Sequence, residues 1–306
     1  MKEFIDKLRE ILPEEQIRTM EPMAAHTTFR VGGPADYFTE PGDEETLARV
    51  QALCRREGMA SYILGNGSNL LVSDSGYRGM MILLGKAWSG ITVDGSRICA
   101  GAGAMLSAVS RQAWKAGLTG LEFASGIPGT VGGAVVMNAG AYGSEMSAVL
   151  KSARVMTAEG EVLTIPAGEL SLGYRTSCVP AKGYTVLEAE FALEPGDPEA
   201  IGSRMEELAA QRRQKQPLEY PSAGSTFKRP EGYFAGKLIQ DAGLRGFCVG
   251  GAQVSEKHCG FVINKGGASA SDIMQLCCQV QQKVRDQFGV ELELEVKVLG
   301  DFGFGG

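Results

Sequence analysis

The sequence predicts a mixed α+β protein laid out in two parts. Three observations carry this. Segments with helical apolar spacing alternate with short apolar strands. The composition shifts at 194–200 (EPGDPEA) into a Pro/Gly/acidic link that reads as the main domain boundary. The chain has 306 residues, enough for two domains of about 100–200 residues each.

The first element is a helix over 3–12, where Phe4, Ile5, Leu8 and Leu12 share one face. The segment TTFRVGGPADYF (27–38) reads as a strand broken by a Gly-Gly-Pro turn. A second helix is expected from Asp43 to Glu57, with Leu47, Val50 and Cys54 inward and Gly58 as its stop. SYIL, LLVS and MMILL then read as three short strands, and the glycine loop Gly65-Asn66-Gly67-Ser68-Asn69 separates the first two. Ile91 to Ala100 reads as a hairpin closed by Asp-Gly, followed by a helix through Met105, Val109 and Ala113 that ends at Gly117. The densest glycine cluster, Gly126-Ile127-Pro128-Gly129-Thr-Val-Gly132-Gly133, leads into AVVMNAGAYG. Strands resume over 151–193. Beyond the link come a charged helix near 199–214 and a helix from Asp272 to Phe288 with Ile273, Leu276, Val280 and Val284 inward. ELELEVKVLG (291–300) alternates as a strand does.

Charge and composition exclude whole classes. Lys and Arg number 30 against 36 Asp and Glu, a net charge of −6, so no basic surplus supports nucleic-acid binding. At 44% hydrophobic the chain has a core to bury. No apolar run reaches the roughly 18 residues needed to span a bilayer. The charged N-terminal stretch lacks the apolar centre of a signal peptide, so a cytoplasmic protein is expected. Seven cysteines without a CxxC pair read as free buried thiols of a reducing compartment. With only His26 and His258, and no Cys/His cluster, no metal site is expected.

The two glycine-rich stretches carry the first chemical signal. Successive backbone N–H groups beside small side chains form an anion cradle. GNGSNL lacks the third glycine of a dinucleotide fingerprint, and no GxxxxGK[ST] occurs. Each stretch alone reads equally as a tight turn. Two in one domain suit a long ligand, such as a pyrophosphate, lying against backbone.

At this point the residues carry a resemblance. LGNGSNLLVSDSGYRG (64–79) and FASGIPGTVGGAVVMNAGAYG (123–143) resemble the two FAD-contacting segments of the UDP-N-acetylenolpyruvoylglucosamine reductases. TTFRVGGPADYF, LGYRTS (172–177), YPSAGSTFKRP (220–230), AGKLIQDAGLRG (235–246) and ELELEVKVLG are similar to its other motifs, in family order. The resemblance implies an FAD-binding region of the vanillyl-alcohol-oxidase (PCMH) type over 1–197, in subdomains of about 1–64 and 65–197. A smaller α+β substrate-binding domain over 198–306 follows, its last strand returning toward the flavin site. It further implies the shorter family form, which lacks an extra tyrosine-bearing loop.

The implied reaction reduces UDP-N-acetylglucosamine enolpyruvate to UDP-N-acetylmuramate, a peptidoglycan precursor, with NADPH as reductant and FAD as cofactor. Hydride enters at C3 of the enolpyruvyl group, and the aci-carboxylate that results needs fixed positive charge and then a proton at C2. Arg175 aligns with the family's catalytic arginine, Ser225 with its proton donor and Glu295 with its third catalytic residue. Without the resemblance, Arg175 is a surface arginine after a turn and Ser225 a turn residue. Spacing alone does not choose among Glu291, Glu293 and Glu295.

The implied FAD contacts are Gly65, Asn66, Gly67, Ser68, Asn69, Gly126, Ile127, Pro128, Gly129, Gly132, Gly133, Asn138 and Gly140. Lys215, with Arg212 or Arg213 before it, resembles the segment that meets the UDP diphosphate, and otherwise reads as a solvated helix end. Lys237 and Asn264 match substrate-domain positions, whereas His258 reads as structural. Related flavin oxidases often tether FAD to a histidine in a glycine loop. Neither loop here has one, so noncovalent FAD is expected. An oxidase of the same superfamily is disfavoured by the Arg175, Ser225 and Glu295 motifs. No membrane, nucleic-acid or obligate protein partner is expected.

Overall fold

The computed structural model describes residues 2–303 and divides into two compact units. One comprises residues 1–18, 37–66 and 79–212; the other comprises 19–36, 67–78 and 213–306.

The first unit is built on a five-stranded antiparallel sheet. Its strands run in the order 162–166, 150–156, 185–192, 97–101 and 91–94. The central strand Thr185–Ala192 is buried along most of its length, as expected of a strand with neighbours on both sides. Helix α1 (Lys2–Arg9) and helix α2 (Glu44–Arg56) belong to this unit, with a parallel pair that aligns Ser61–Leu64 with Met80–Leu83. α2 starts where the sequence says it must. The Asp43 carboxylate accepts from the Thr46 backbone N–H at 2.8 Å, and Leu47, Val50, Leu53 and Cys54 are buried on one face. Helix α3 (Leu106–Lys115) and the short helix α4 (Val131–Val136) complete the core, which collects Leu47, Ile82, Val109, Val135 and Phe191 among others. Helix α5 (Pro198–Lys215) follows.

A single cut at 194–200 does not describe these units. Glu194–Pro195 pairs with Leu118–Thr119, the Trp114 indole donates to the Pro198 carbonyl at 2.7 Å, and Ile201 and Leu208 are buried. The Pro/Gly/acidic link is therefore held within the first unit, as is α5 as far as Arg212.

The second unit packs helix α6 (Ala235–Asp241) and helix α7 (Ala270–Phe288) with a three-stranded antiparallel sheet, 248–249, 252–254 and 262–264. α7 opens with a reciprocal capping box between Ser269 and Asp272 and ends at Gly289 with φ 67°. Its Ile273, Leu276, Val280 and Val284 are fully buried, each stabilising the fold by roughly 1.5–3 kcal/mol. Lys297–Leu299 pairs in parallel with Leu70–Val72, the strand that follows the first glycine loop.

Two strand expectations shrink. Of 27–38 only the part from Pro34 is a strand, because Arg30 (φ 57°) and Gly32 (φ 117°) bend the preceding residues into turns. Of 291–300 only Lys297–Leu299 forms a ladder, with a single bridge from Leu294 to Phe227 ahead of it. The cysteines are all free, but only Cys54, Cys259 and Cys277 are buried, while Cys248 and Cys278 are exposed. Burial pushes the Cys54 thiol up to about 11, which makes it inert at neutral pH. No described helix is long and apolar enough to cross a membrane, and the described residues contain no cluster of three or more metal-ligating side chains.

Candidate active site

In the first unit the two glycine stretches meet. Asn66 donates from Nδ2 to the Pro128 carbonyl at 2.7 Å. A Cβ added to Gly65 would stand less than 3.0 Å from Thr130 Oγ1, so only glycine allows this approach. From the other side the Gly126–Gly133 loop is pinned by three backbone hydrogen bonds. Val131 donates to Ala104, Gly132 to Ala102, and Leu106 to Gly129, at 2.8–3.0 Å. Gly132 lies so close to Ala102 that a Cβ would sit 3.0 Å from its methyl group. Gly133 differs: a Cβ there would meet only Thr130 Oγ1 at 3.7 Å, and Gly133, Asn66 and Pro128 are all exposed. The joined loops thus present backbone with little side-chain bulk, which fits the long, flat and doubly phosphorylated shape of FAD. Ile127 packs against the core below them.

Arg212 was expected beside Lys215 at the substrate diphosphate. Its side chain lies on the loop, where a Cβ at Gly126 would meet Arg212 Cδ at 3.0 Å and Nη1 at 3.2 Å. Burial lowers its pKa from the ordinary arginine value. Even so, an arginine keeps its proton, so this is a fixed cation at a glycine loop.

Arg175 occupies a two-residue turn in which Gly173 and Thr176 exchange both backbone hydrogen bonds. It sits at the third turn position with φ 54°, left-handed backbone that normally calls for glycine or asparagine. Its guanidinium donates from Nη2 to the Gly140 carbonyl at 3.1 Å and lies 5.2 Å from the centre of the Tyr174 ring. Asn138 (φ 41°) and Tyr142 (φ 55°) add left-handed residues to the segment that Arg175 grips. Such strain is held only where surrounding contacts over-determine it, and it gathers at functional sites. Asn138 itself is fully buried. Its amide donates to the Gly173 carbonyl at 3.1 Å and accepts from the Ser147 N–H at 2.9 Å, so its polar atoms serve the protein.

In the second unit Gly67 (φ 58°) comes so close to His26 that a Cβ would run into the His26 carbonyl oxygen. The His26 ring itself pairs with Glu21 at 2.8 Å. Beside Gly67 and Ser68, Asn69 donates to the Glu295 carbonyl at 3.1 Å and accepts from Lys297 N–H at 3.0 Å. The segments carrying Ser225 and Glu295 lie side by side: the Glu295 N–H donates to the Thr226 carbonyl at 2.9 Å, and the Lys228 N–H to the Glu293 carbonyl at 2.8 Å. Ser225 is exposed after Gly224, whose φ of 76° makes the turn, while Thr226 is buried and fixes it. The structure also separates the three glutamates. Glu291 and Glu293 are exposed and pair with Arg285 and Lys228, whereas Glu295 is half-buried beside the Ser225 segment.

The remaining expectations fare differently. Lys237 is exposed and bound to Asp241, one helical turn away. Asn264 is buried, with its amide donating to Phe29 and accepting from Gly266 and Ala268, so it braces a loop. Lys215 is exposed at the end of α5. Burial depresses the pKa of His258, whose Nδ1 accepts from Gly260, in keeping with a structural ring. Sequence reasoning missed Thr130 and Ala102 as braces of the glycine loops, because neither bears a chemical signature.

Comparison with known proteins supplies the context for this geometry. Residues 35–166 match the FAD binding domain model, and 216–299 match the UDP-N-acetylenolpyruvoylglucosamine reductase, C-terminal domain model. The UDP-N-acetylenolpyruvoylglucosamine reductase of Agathobacter rectalis is 56% identical, over 98% of this chain and 99% of its own length. The chain belongs to the UDP-N-acetylenolpyruvoylglucosamine reductase family. A Clostridium perfringens reductase of the same name is 52% identical over 97% of this chain and 98% of its own. The crystal structure of the Thermus caldophilus UDP-N-acetylenolpyruvylglucosamine reductase is 37% identical and superposes with a TM-score of 0.80, over 93% of this chain and all of that one. Family membership bears out the expected two-part α+β layout, with an FAD-binding domain followed by the reductase C-terminal domain. FAD is therefore the cofactor, and the backbone face of the glycine loops is of the kind that holds it.

Proposed function

We propose that this chain reduces UDP-N-acetylglucosamine enolpyruvate to UDP-N-acetylmuramate, using NADPH, in peptidoglycan precursor synthesis. The observation that carries the reading is identity of 56% across nearly the whole chain to a reductase of that name. FAD held at the glycine loops would supply the hydride transfer from NADPH to the substrate, and the chain's own residues do the rest.

Gly65 and Asn66, the 126–133 loop they join and Gly140 hold the cofactor without a covalent bond, and Gly67, Ser68 and Asn69 are further contacts to it. Arg212 adds a positive charge there that suits a pyrophosphate. Arg175 binds the substrate carboxylate through two parallel N–H bonds, a fit that a planar guanidinium makes and an ammonium does not. It thereby stabilises the charge that builds on the carboxylate as C3 is reduced. Ser225 then gives its proton to C2, and Glu295 polarises the enolpyruvyl group. A serine hydroxyl is a weak acid, so it serves only because the carbanion at C2 is strongly basic. Lys215 meets the UDP diphosphate, and Lys237 and Asn264 act within the same domain, Asn264 by shaping its loop. Seven free cysteines and a nicotinamide reductant accord with a cytoplasmic location.

One basic segment serves both NADPH and the sugar nucleotide in turn, which makes the kinetics ping-pong. Initial-rate plots should give parallel lines, with inhibition at high substrate. Intersecting lines would mean both ligands bind together and would sink the one-pocket scheme. A purified protein that carries no flavin, or whose reduced flavin is reoxidised by oxygen but not by the enolpyruvyl substrate, would end the reading as a whole.

A further inference from the structure

The stretch Val136–Gly140 grips the arginine turn at three successive points. Ser177 Oγ donates to the Val136 carbonyl at 2.8 Å, Asn138 Nδ2 donates to the Gly173 carbonyl at 3.1 Å, and Arg175 Nη2 donates to the Gly140 carbonyl at 3.1 Å. The turn thus has its start, its side-chain tip and its exit tied to one five-residue segment. The middle contact is the only one of the three made by an amide side chain. That side chain has no exposed surface, and its oxygen is held in place by the Ser147 N–H at 2.9 Å. Both Asn138 and Arg175 hold left-handed backbone, at φ 41° and 54°. Asparagine tolerates that region better than most side chains, whereas arginine gains nothing from it. A turn that would relax without support is therefore held by a neighbour that is itself rigidly fixed.

We propose that Asn138 is a positioning residue for the reaction: it holds the Gly173–Thr176 turn in the strained form that aims the Arg175 guanidinium at the substrate carboxylate. This differs from the cofactor contact expected for Asn138 from sequence, and it rests on the reading of Arg175 given above. The carboxylate needs two parallel N–H donors from one fork, so a small rotation of the turn breaks the match while leaving the charge in place. Misplacing such a group by about 1 Å costs on the order of 10²-fold in rate.

Asn138→Asp keeps the size, the left-handed tolerance and the acceptor for Ser147 but loses the N–H that holds Gly173. The holoenzyme variant should keep its flavin absorbance and its bleaching rate with NADPH. Its reoxidation by the enolpyruvyl substrate should slow by about 10²-fold. In an Arg175→Lys background the same change should alter reoxidation by no more than about threefold, because two residues acting through one group are not additive. Arg175→Lys alone separates the two claims. Parental reoxidation in that variant overturns the role of Arg175, whereas an impaired Arg175→Lys beside an unimpaired Asn138→Asp overturns only the role of Asn138. Equal loss in both half-reactions, or full additivity in the double variant, marks a general structural brace and refutes the proposal. Asn138→Gly, which removes both side-chain bonds but accepts the backbone conformation, is the second variant. Loss of flavin from both variants assigns Asn138 to the cofactor fold and likewise refutes it.

Discussion

Replacing Gly65 by alanine tests whether the joining of the two glycine stretches matters for the cofactor. The backbone of Gly65 is not left-handed, so alanine costs nothing in φ and the whole effect is steric. The new methyl would lie under 3.0 Å from Thr130 Oγ1 and 3.5 Å from Thr130 Cβ and Cγ2. Thr130 is 6% exposed and β-branched, so its hydroxyl has little room to rotate away. Overpacking of this kind costs about 1–3 kcal/mol. If the strain falls on the conformation that binds FAD, affinity drops roughly 5- to 150-fold, at 1.4 kcal/mol per tenfold. Thr130→Ala removes the obstructing oxygen and leaves only the ordinary 3.5 Å contact to Cβ, so the double variant should regain most of the loss. The assay is FAD titration of apoprotein by fluorescence quenching, with urea melts on all four members of the cycle. Parental FAD affinity in Gly65→Ala, or a penalty that persists undiminished in the double variant, refutes the steric argument.

Ser225→Ala should leave flavin reduction by NADPH nearly unchanged and slow reoxidation by more than the roughly 10²–10⁴-fold usual for one general acid; stopped-flow measurement of each half-reaction checks it, and failure confined to the NADPH step would return Ser225 to the scaffold. Glu295→Gln should impair the same half-reaction, while Glu293→Gln, at an exposed residue paired with Lys228, should not. Acid or heat should release FAD into the supernatant, since His26 pairs with Glu21 and the glycine loops hold no histidine; colour that stays with the pellet counts against this. The Asp272 carboxyl is held below its ordinary 3.8 chiefly by the Ser269 N–H, so its folded pKa is depressed. Its capping bond therefore stabilises the fold above the unfolded pKa and is lost as pH falls through the folded one. The stability gap between parent and Asp272→Asn, read by denaturant melts, should shrink below about pH 4 and stay constant from pH 6 to 8.

The helices were the legible part of the chain. α2 and α7 announce themselves through Asp43 and Gly289 at their ends and apolar residues three and four apart between, all local signals, although α7 starts at Ala270, two residues ahead of the expected Asp272. The segment 291–300 misled because alternation marks two faces but not a partner: one bridge at Leu294 and a three-residue ladder are all that neighbouring segments supply. At the site, the motifs named Arg175, Ser225 and Glu295, but not how they are held. The left-handed turn under Arg175 breaks local preference, and the bond from Glu295 to Thr226 joins residues about 70 positions apart. Lys237 and Asn264 show the converse, since a motif position does not reveal that Asp241 or Phe29 already claims the side chain.

The pairing of Lys297–Leu299 with Leu70–Val72 also bears on how the molecule is made. The second unit draws on residues 19–36 and 67–78, yet its parallel ladder waits for a strand more than 200 residues further along the chain. During synthesis the ribosome therefore releases Leu70–Val72 long before the strand that covers it, leaving buried apolar residues without their neighbour. Closing so long a loop is slow compared with local helix formation. The nascent chain should be most prone to aggregate, and most in need of a chaperone, in the interval before Lys297–Leu299 emerges.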